Sequence, residues 1–152
     1  MGHYCHLCGQ TRANEKFSGR GHRDHVCRDC AQHPAAWRDR LECLEELHHF
    51  LEQSHISARN CDRLKILCQH HDPEIRPLAE LIADIARVHP YKHRRVPNLA
   101  RRHPPLFARM VTLLGDDWWD AFWSDRLDLN DEWLYARWEA ARSSNREDEN
   151  PF

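Results

Sequence analysis

Cys5 and Cys8 form one Cys-x-x-Cys pair and Cys27 and Cys30 form a second, with eighteen residues between the pairs. Each short turn can aim both of its sulfurs at one point, and two such turns supply the four soft ligands of a tetrahedral zinc site. Gly9 follows Cys8 directly and suits the tight turn of a zinc knuckle, where a backbone N–H approaches a sulfur. Four unliganded thiols are the alternative, but a polar segment this short buries little core without a staple. The expectation is one structural Zn²⁺ on Cys5, Cys8, Cys27 and Cys30. Four thiolates close the site and leave no position for water or substrate, so the ion is expected to hold the fold, not to catalyse. The chain has seven cysteines, an odd number for a disulfide framework, and paired Cys-x-x-Cys in a reducing compartment reads as metal binding. Cys43, Cys61 and Cys68 are expected to be core thiols.

The segment between the pairs is rich in Arg and His. A zinc ion with four thiolates is a net anion, and Arg12, Arg20, Arg23 and Arg28 can balance it. Arg20, His22, Arg23 and His25 are as well placed to contact a partner protein or a nucleic acid. Asp24 beside His25 suggests a remote third reading, the Asp-His pair of a metal-dependent nuclease, which needs an open metal position and a further ligand.

A second chemical feature lies further along. Residues 87–109 hold seven Lys or Arg, three His and no acid, whereas residues 115–152 hold eleven acids and four Arg. The net charge of −2 hides this asymmetry. Lys92, Arg94, Arg95, Arg101 and Arg102, flanked by Tyr91 and Phe107, suit phosphates and unpaired bases. The competing reading is internal: the acidic C-terminal third lies across the stretch and neutralises it. Five of the six tryptophans fall between Trp118 and Trp138. Trp119, Trp123 and Trp138 fit buried helix faces. Trp118 and Trp133 fall off the stripe and are candidates for a protein interface. No Ser-His-Asp or Cys-His arrangement is legible, and no phosphate-binding G-x-x-x-x-G-K-[ST] motif occurs.

The elements that must position these residues follow from periodicity. Residues 1–33 are polar and show no helical period, and a β-hairpin between the two pairs would bring them together. Trp37, Leu41, Leu44, Leu47 and Leu51 predict a helix over 34–53. Ser57 caps a second, carrying Cys61, Leu64, Leu67 and Cys68. Asp72 and Pro73 open a third, with Ile75, Leu78, Ile82, Ile85 and His89 on its stripe and Pro90 ending it. Prolines restrict the basic stretch to a short turn after Pro97. Pro105 starts a helix with Leu106, Met110 and Leu113, closed by Gly115. Asp116 or Asp117 caps the next, with Trp119, Phe122, Trp123 and Leu127 on one face, and Asp131 caps the last, with Leu134, Trp138 and Ala141. The end, 143–152, reads as a polar disordered tail.

A knuckle, a hairpin and a second pair leading into a helix make a treble clef. Within residues 4–31, the first Cys-x-x-Cys-Gly, the eighteen-residue spacing, Gly21, and Val26 before the second pair resemble the N-terminal zinc domain of the Clp protease unfoldase ClpX. That resemblance implies a treble clef that dimerises and recognises adaptors and substrates. It covers about a fifth of the chain, and no ATPase part follows. The expected architecture is a small α+β treble-clef zinc finger, 1–33, then an all-α helical domain, 34–142, then the tail. The expected function is a non-enzymatic zinc-binding adaptor for protein–protein interaction, with a possible homodimer through the finger. The alternative is an RNA- or DNA-binding factor using 87–109. No apolar run spans a bilayer and no signal or myristoylation motif is present, so a cytoplasmic protein is expected.

Overall fold

The computed structural model describes residues 2–126 and 131–149. Leu127, expected on an aromatic helix face, lies outside the described residues, as do 150–152 of the expected tail. Among the described residues the chain is mostly helical, with nine α-helices and one two-stranded antiparallel sheet beside the cysteines. It separates into two compact units, Met1–His48 and His49–Phe152.

In the first unit, β1 (Gly2–Cys5) pairs antiparallel with β2 (Gln10–Ala13), Cys5 standing opposite Gln10. The expected hairpin is therefore not between the cysteine pairs. The first pair forms its tip, where the Gly9 N–H donates to the Cys5 carbonyl at 2.9 Å and Gly9 takes a left-handed φ of 68°. The segment expected to lack helix contains α1 (Gly19–Asp24) and α2 (Arg28–Ala31). These turns are too short to show a period. Local caps make α1: Ser18 Oγ accepts from the Gly21 N–H at 2.9 Å, and His25 closes it in the left-handed region. α3 (Ala35–Glu52) follows, one residue shorter at each end than predicted.

In the second unit, α4 (Ala58–Leu67) starts at Ser57, whose hydroxyl accepts from the Asn60 N–H. Asp72 Oδ1 accepts from the N–H groups of Glu74 and Ile75 and opens α5 (Ile75–Val88). Of the predicted stripe of α5, Ile75, Leu78, Ile82 and Ile85 are buried, joined by Leu81, whereas His89 is half-buried and follows the helix as its C-cap. α6 (Arg95–Arg102) is longer than the turn expected after Pro97, because a proline in the first turn removes an N–H that has no intrahelical acceptor anyway. α7 (Pro104–Leu113) ends with Leu114 buried in place of the expected Leu113. α8 (Asp116–Ser124) is capped by Gly115, with Asp116 and Asp117 in its first turn instead of at the cap. α9 (Glu132–Glu149) carries Leu134 and Trp138 into the core and continues past 142, through much of the segment read as a tail. α7 packs against α5, α6 and α9. Leu64, Ile82, Leu99, Met110 and Trp119 are each at most 1% exposed. No helix among the described residues is long and apolar enough to cross a membrane.

Candidate metal centre and cationic cleft

Four sulfurs converge in the first unit. Cys5 ends β1, Cys8 lies in the turn, Cys27 is the N-cap of α2 and Cys30 is inside it. All four Sγ atoms lie within 4.8 Å of one another. Sulfurs about 2.3 Å from one tetrahedral ion would stand about 3.8 Å apart, so the set fits a single metal ion with small adjustments. Cys5, Cys27 and Cys30 are buried and Cys8 is half-buried. Phe17, 3% exposed, belongs to the same small core, with Leu7, Val26 and Trp37 packed against it.

The electrostatics favour an anionic sulfur at Cys5. Burial opposes charge on Cys5, but N–H groups of Cys27, Cys8 and Leu7 and the Cys8 side chain outweigh it and hold the thiol at about 6. The Cys27 N–H reaches the Cys5 sulfur at 3.3 Å. Cys30 moves the other way, pushed up by burial, then by hydrogen bonding with the other three sulfurs and the charge of Cys5. Arg12 is bonded to Cys8 and to Asp29, the latter at 2.9 Å, and the Cys8 bond is the first cause raising its guanidinium further. Of the four arginines expected to balance the site, Arg12 takes that position. Arg20 and Arg28 are exposed, and Arg23 pairs with the neighbouring Asp24 at 3.3 Å.

His22 and His25 come together around a residue the sequence did not single out, His3. His3 Nε2 and His25 Nδ1 share a hydrogen bond at 2.9 Å, their rings are stacked at 4.9 Å, and His22 sits 5.1 Å from His3. The hairpin brings His3 there, and strand alternation from the buried Cys5 was the available signal. Among the described residues, no cluster able to hold an ion includes Asp24, His22 or His25.

The basic segment divides. Arg95 is 3% exposed and its guanidinium donates to the carbonyls of Leu51 at 2.8 Å and Pro90 at 2.7 Å. Burial lowers it to about 10, partly opposed by the charge of Glu52. This side chain ties the end of α3 to the turn before α6 and is not offered to a phosphate. Lys92 pairs with Glu52 at 2.7 Å, and Arg109 with Asp84 at 2.7 Å. Among the described residues, the acids paired with the stretch come from α3 and α5, and two acids of the C-terminal third pair within it, Asp131 with Arg126 at 3.3 Å and Asp116 with Arg142 at 3.4 Å. Arg94, Arg101 and Arg102 are exposed, with no acidic partner among the described residues.

Trp118 and Trp133 are both half-buried. Trp118 stacks on Phe122 at 5.6 Å and lines a cleft of about 510 Å³ with Met110, Val96 and Pro97. The Arg101 guanidinium lies 4.2 Å over the Trp133 ring, beside a second cleft of about 290 Å³. A third, about 250 Å³, is lined by Arg94, Asn98, Arg101 and Arg102. Comparisons with protein-family models, curated proteins and solved structures gave no match.

Proposed function

We propose that this chain is a non-enzymatic zinc-binding adaptor. The observation that carries the reading is the convergence of four sulfurs and nothing else on one point. Such a soft, closed donor set suits a structural Zn²⁺ held by Cys5, Cys8, Cys27 and Cys30. In this reading the knuckle at the tip of β1–β2 and the second pair at α2 form a treble clef. The resemblance to the ClpX zinc domain supports a module that contacts proteins, including a second copy of itself, in the cytoplasm. Arg20, His22, Arg23 and His25 lie on its exposed or half-buried surface, and Trp118 and Trp133 present the helical unit to a partner. Purified protein should contain one zinc per chain by elemental analysis, and Cys27→Ser should lose both the ion and the fold of the first unit. Crosslinking in extracts should capture a partner that Trp118→Ala with Trp133→Ala releases. A metal-free protein that keeps its fold would sink the zinc assignment.

RNA or DNA binding is the second reading, favoured by Arg94, Arg101 and Arg102, which have no acidic partner among the described residues. It requires affinity for an oligonucleotide that falls steeply with salt.

A further inference from the structure

The three clefts described above share two residues, Arg94 and Pro97, and so form one continuous surface along α6. Its floor is apolar where Val96, Met110, Trp118 and Phe122 meet. Its rim is cationic. Lys92 and Arg126 are already neutralised by Glu52 and Asp131, and Asp125 is an acid on the same wall. Arg94, Arg101 and Arg102 are left with no described acid to meet. Arg94 holds a left-handed backbone at φ 53°, a conformation that disfavours residues with a Cβ, and there its side chain borders all three clefts. α6 also opens with no acid in its first turn and no side-chain cap.

We propose that this surface takes an acidic, extended peptide segment of a partner protein, with an apolar side chain seated over Met110 and Trp118 and carboxylates on Arg94 and Arg101. The inference rests on the adaptor reading and names its partner's chemistry. A peptide satisfies both halves of the surface. A nucleic acid satisfies the rim but leaves the apolar floor unmatched, and the rings beside the rim each have one face already taken. Trp118 lies against Phe122 at an interplanar angle of 8°, and Trp133 is covered by Arg101 at 4.2 Å and approached by Arg137 at 5.9 Å. The cleft beside Trp118, about 510 Å³, is within the range of about 300–1,000 Å³ usual for ligand sites. The register can also be stated. Arg94 and Arg101 are two helical turns apart, about 10 Å. A polyproline II peptide covers that distance in three residues, about 3.1 Å each, and returns to the same face. The motif is therefore two acids three residues apart with a bulky apolar residue nearby.

The test is selection of a displayed library of random short peptides on the full-length, zinc-loaded protein. One enriched peptide is then synthesised with a fluorescent label and titrated by anisotropy. Enrichment of acids three apart beside an apolar residue is expected. Arg94→Glu with Arg101→Glu should weaken the peptide by at least about tenfold, while Arg59→Glu with Lys65→Glu on the exposed side of α4 leaves it unchanged. Circular dichroism and zinc content of each variant exclude misfolding. Enrichment without acids, no enrichment, or indifference to the α6 charge reversal overturns the acidic-segment assignment and leaves a partner on the zinc module open to the crosslinking test. Tighter binding of a labelled single-stranded oligonucleotide, lost in the same α6 variant, overturns both this inference and the adaptor reading.

Discussion

Gly19 and Gly21 are one residue apart in α1, and the structure gives them opposite fates on substitution by alanine. An ideal Cβ on Gly19 meets nothing within 4 Å, whereas one on Gly21 would stand 2.4 Å from the Val26 carbonyl oxygen. That oxygen is backbone, one residue before Cys27, so it cannot swing away as a side chain would. The Gly21 carbonyl also accepts from the Val26 N–H at 2.9 Å, which fixes the two segments from both directions. Alanine in a helix is favoured over glycine by about 1 kcal/mol. For Gly19→Ala that term stands alone, and the variant should be neutral or more stable. For Gly21→Ala, forcing a methyl into filled space costs about 1–3 kcal/mol, leaving a net loss of about 1–2 kcal/mol. Displacing Val26 moves Cys27, so the loss should appear as weaker metal binding, about tenfold per 1.4 kcal/mol. Competition with a chromophoric zinc chelator reads this directly, with amide hydrogen exchange over 2–48 as the structural check. Equal zinc affinity in the two variants would refute the close approach of α1 to the second cysteine pair.

Arg95→Met should destabilise the helical unit by about 1–3 kcal/mol, because it strands the Leu51 carbonyl, while the Pro90 carbonyl keeps the Ile56 N–H at 3.0 Å. A shift in urea midpoint near zero would show that the guanidinium is not needed there. Arg94→Gly, at the left-handed position beside it, should be neutral or stabilising in the same assay. Apparent metal affinity should fall as pH falls, since protons compete for every sulfur. Cys5 is depressed from 9.0 to about 6, so its thiolate favours the folded, metal-ready state above 9.0 and loses that contribution as pH drops through about 6. A plot of log affinity against pH should therefore steepen by one proton near 6, and a constant slope from 8 to 5 would contradict the hydrogen bonding at Cys5.

The cysteine cluster and the fold were legible to different depths. Cysteine spacing is a covalent constraint on two short turns, so the convergence of the four sulfurs could be read without knowing what lies between. The long helices were legible because their burial repeats over several turns: 34–53 against Ala35–Glu52, and the stripe of Ile75, Leu78, Ile82 and Ile85 in α5. What failed was set by single contacts. α1 has one capping hydroxyl and six residues, too few for a period to declare itself. Asp116 and Asp117 looked like caps because acids favour a helix start, but that preference holds in the first turn as well as at the cap.

The basic stretch shows the deepest limit. Composition counts charge, whereas binding depends on which charges remain unpaired after folding. Arg94 and Arg95 are adjacent and chemically identical, yet one is exposed on the rim of the three clefts described above and the other is buried on two carbonyls. The difference comes from the left-handed turn at Arg94, which starts α6 and sends the next side chain inward. A charge run therefore does not act as a unit. Reversing Arg94 changes a surface, removing Arg95 disturbs a core, and a variant altering both would confuse a lost ligand with a lost fold. Charge reversal at Arg94 and Arg101, with Arg95 kept, separates the two.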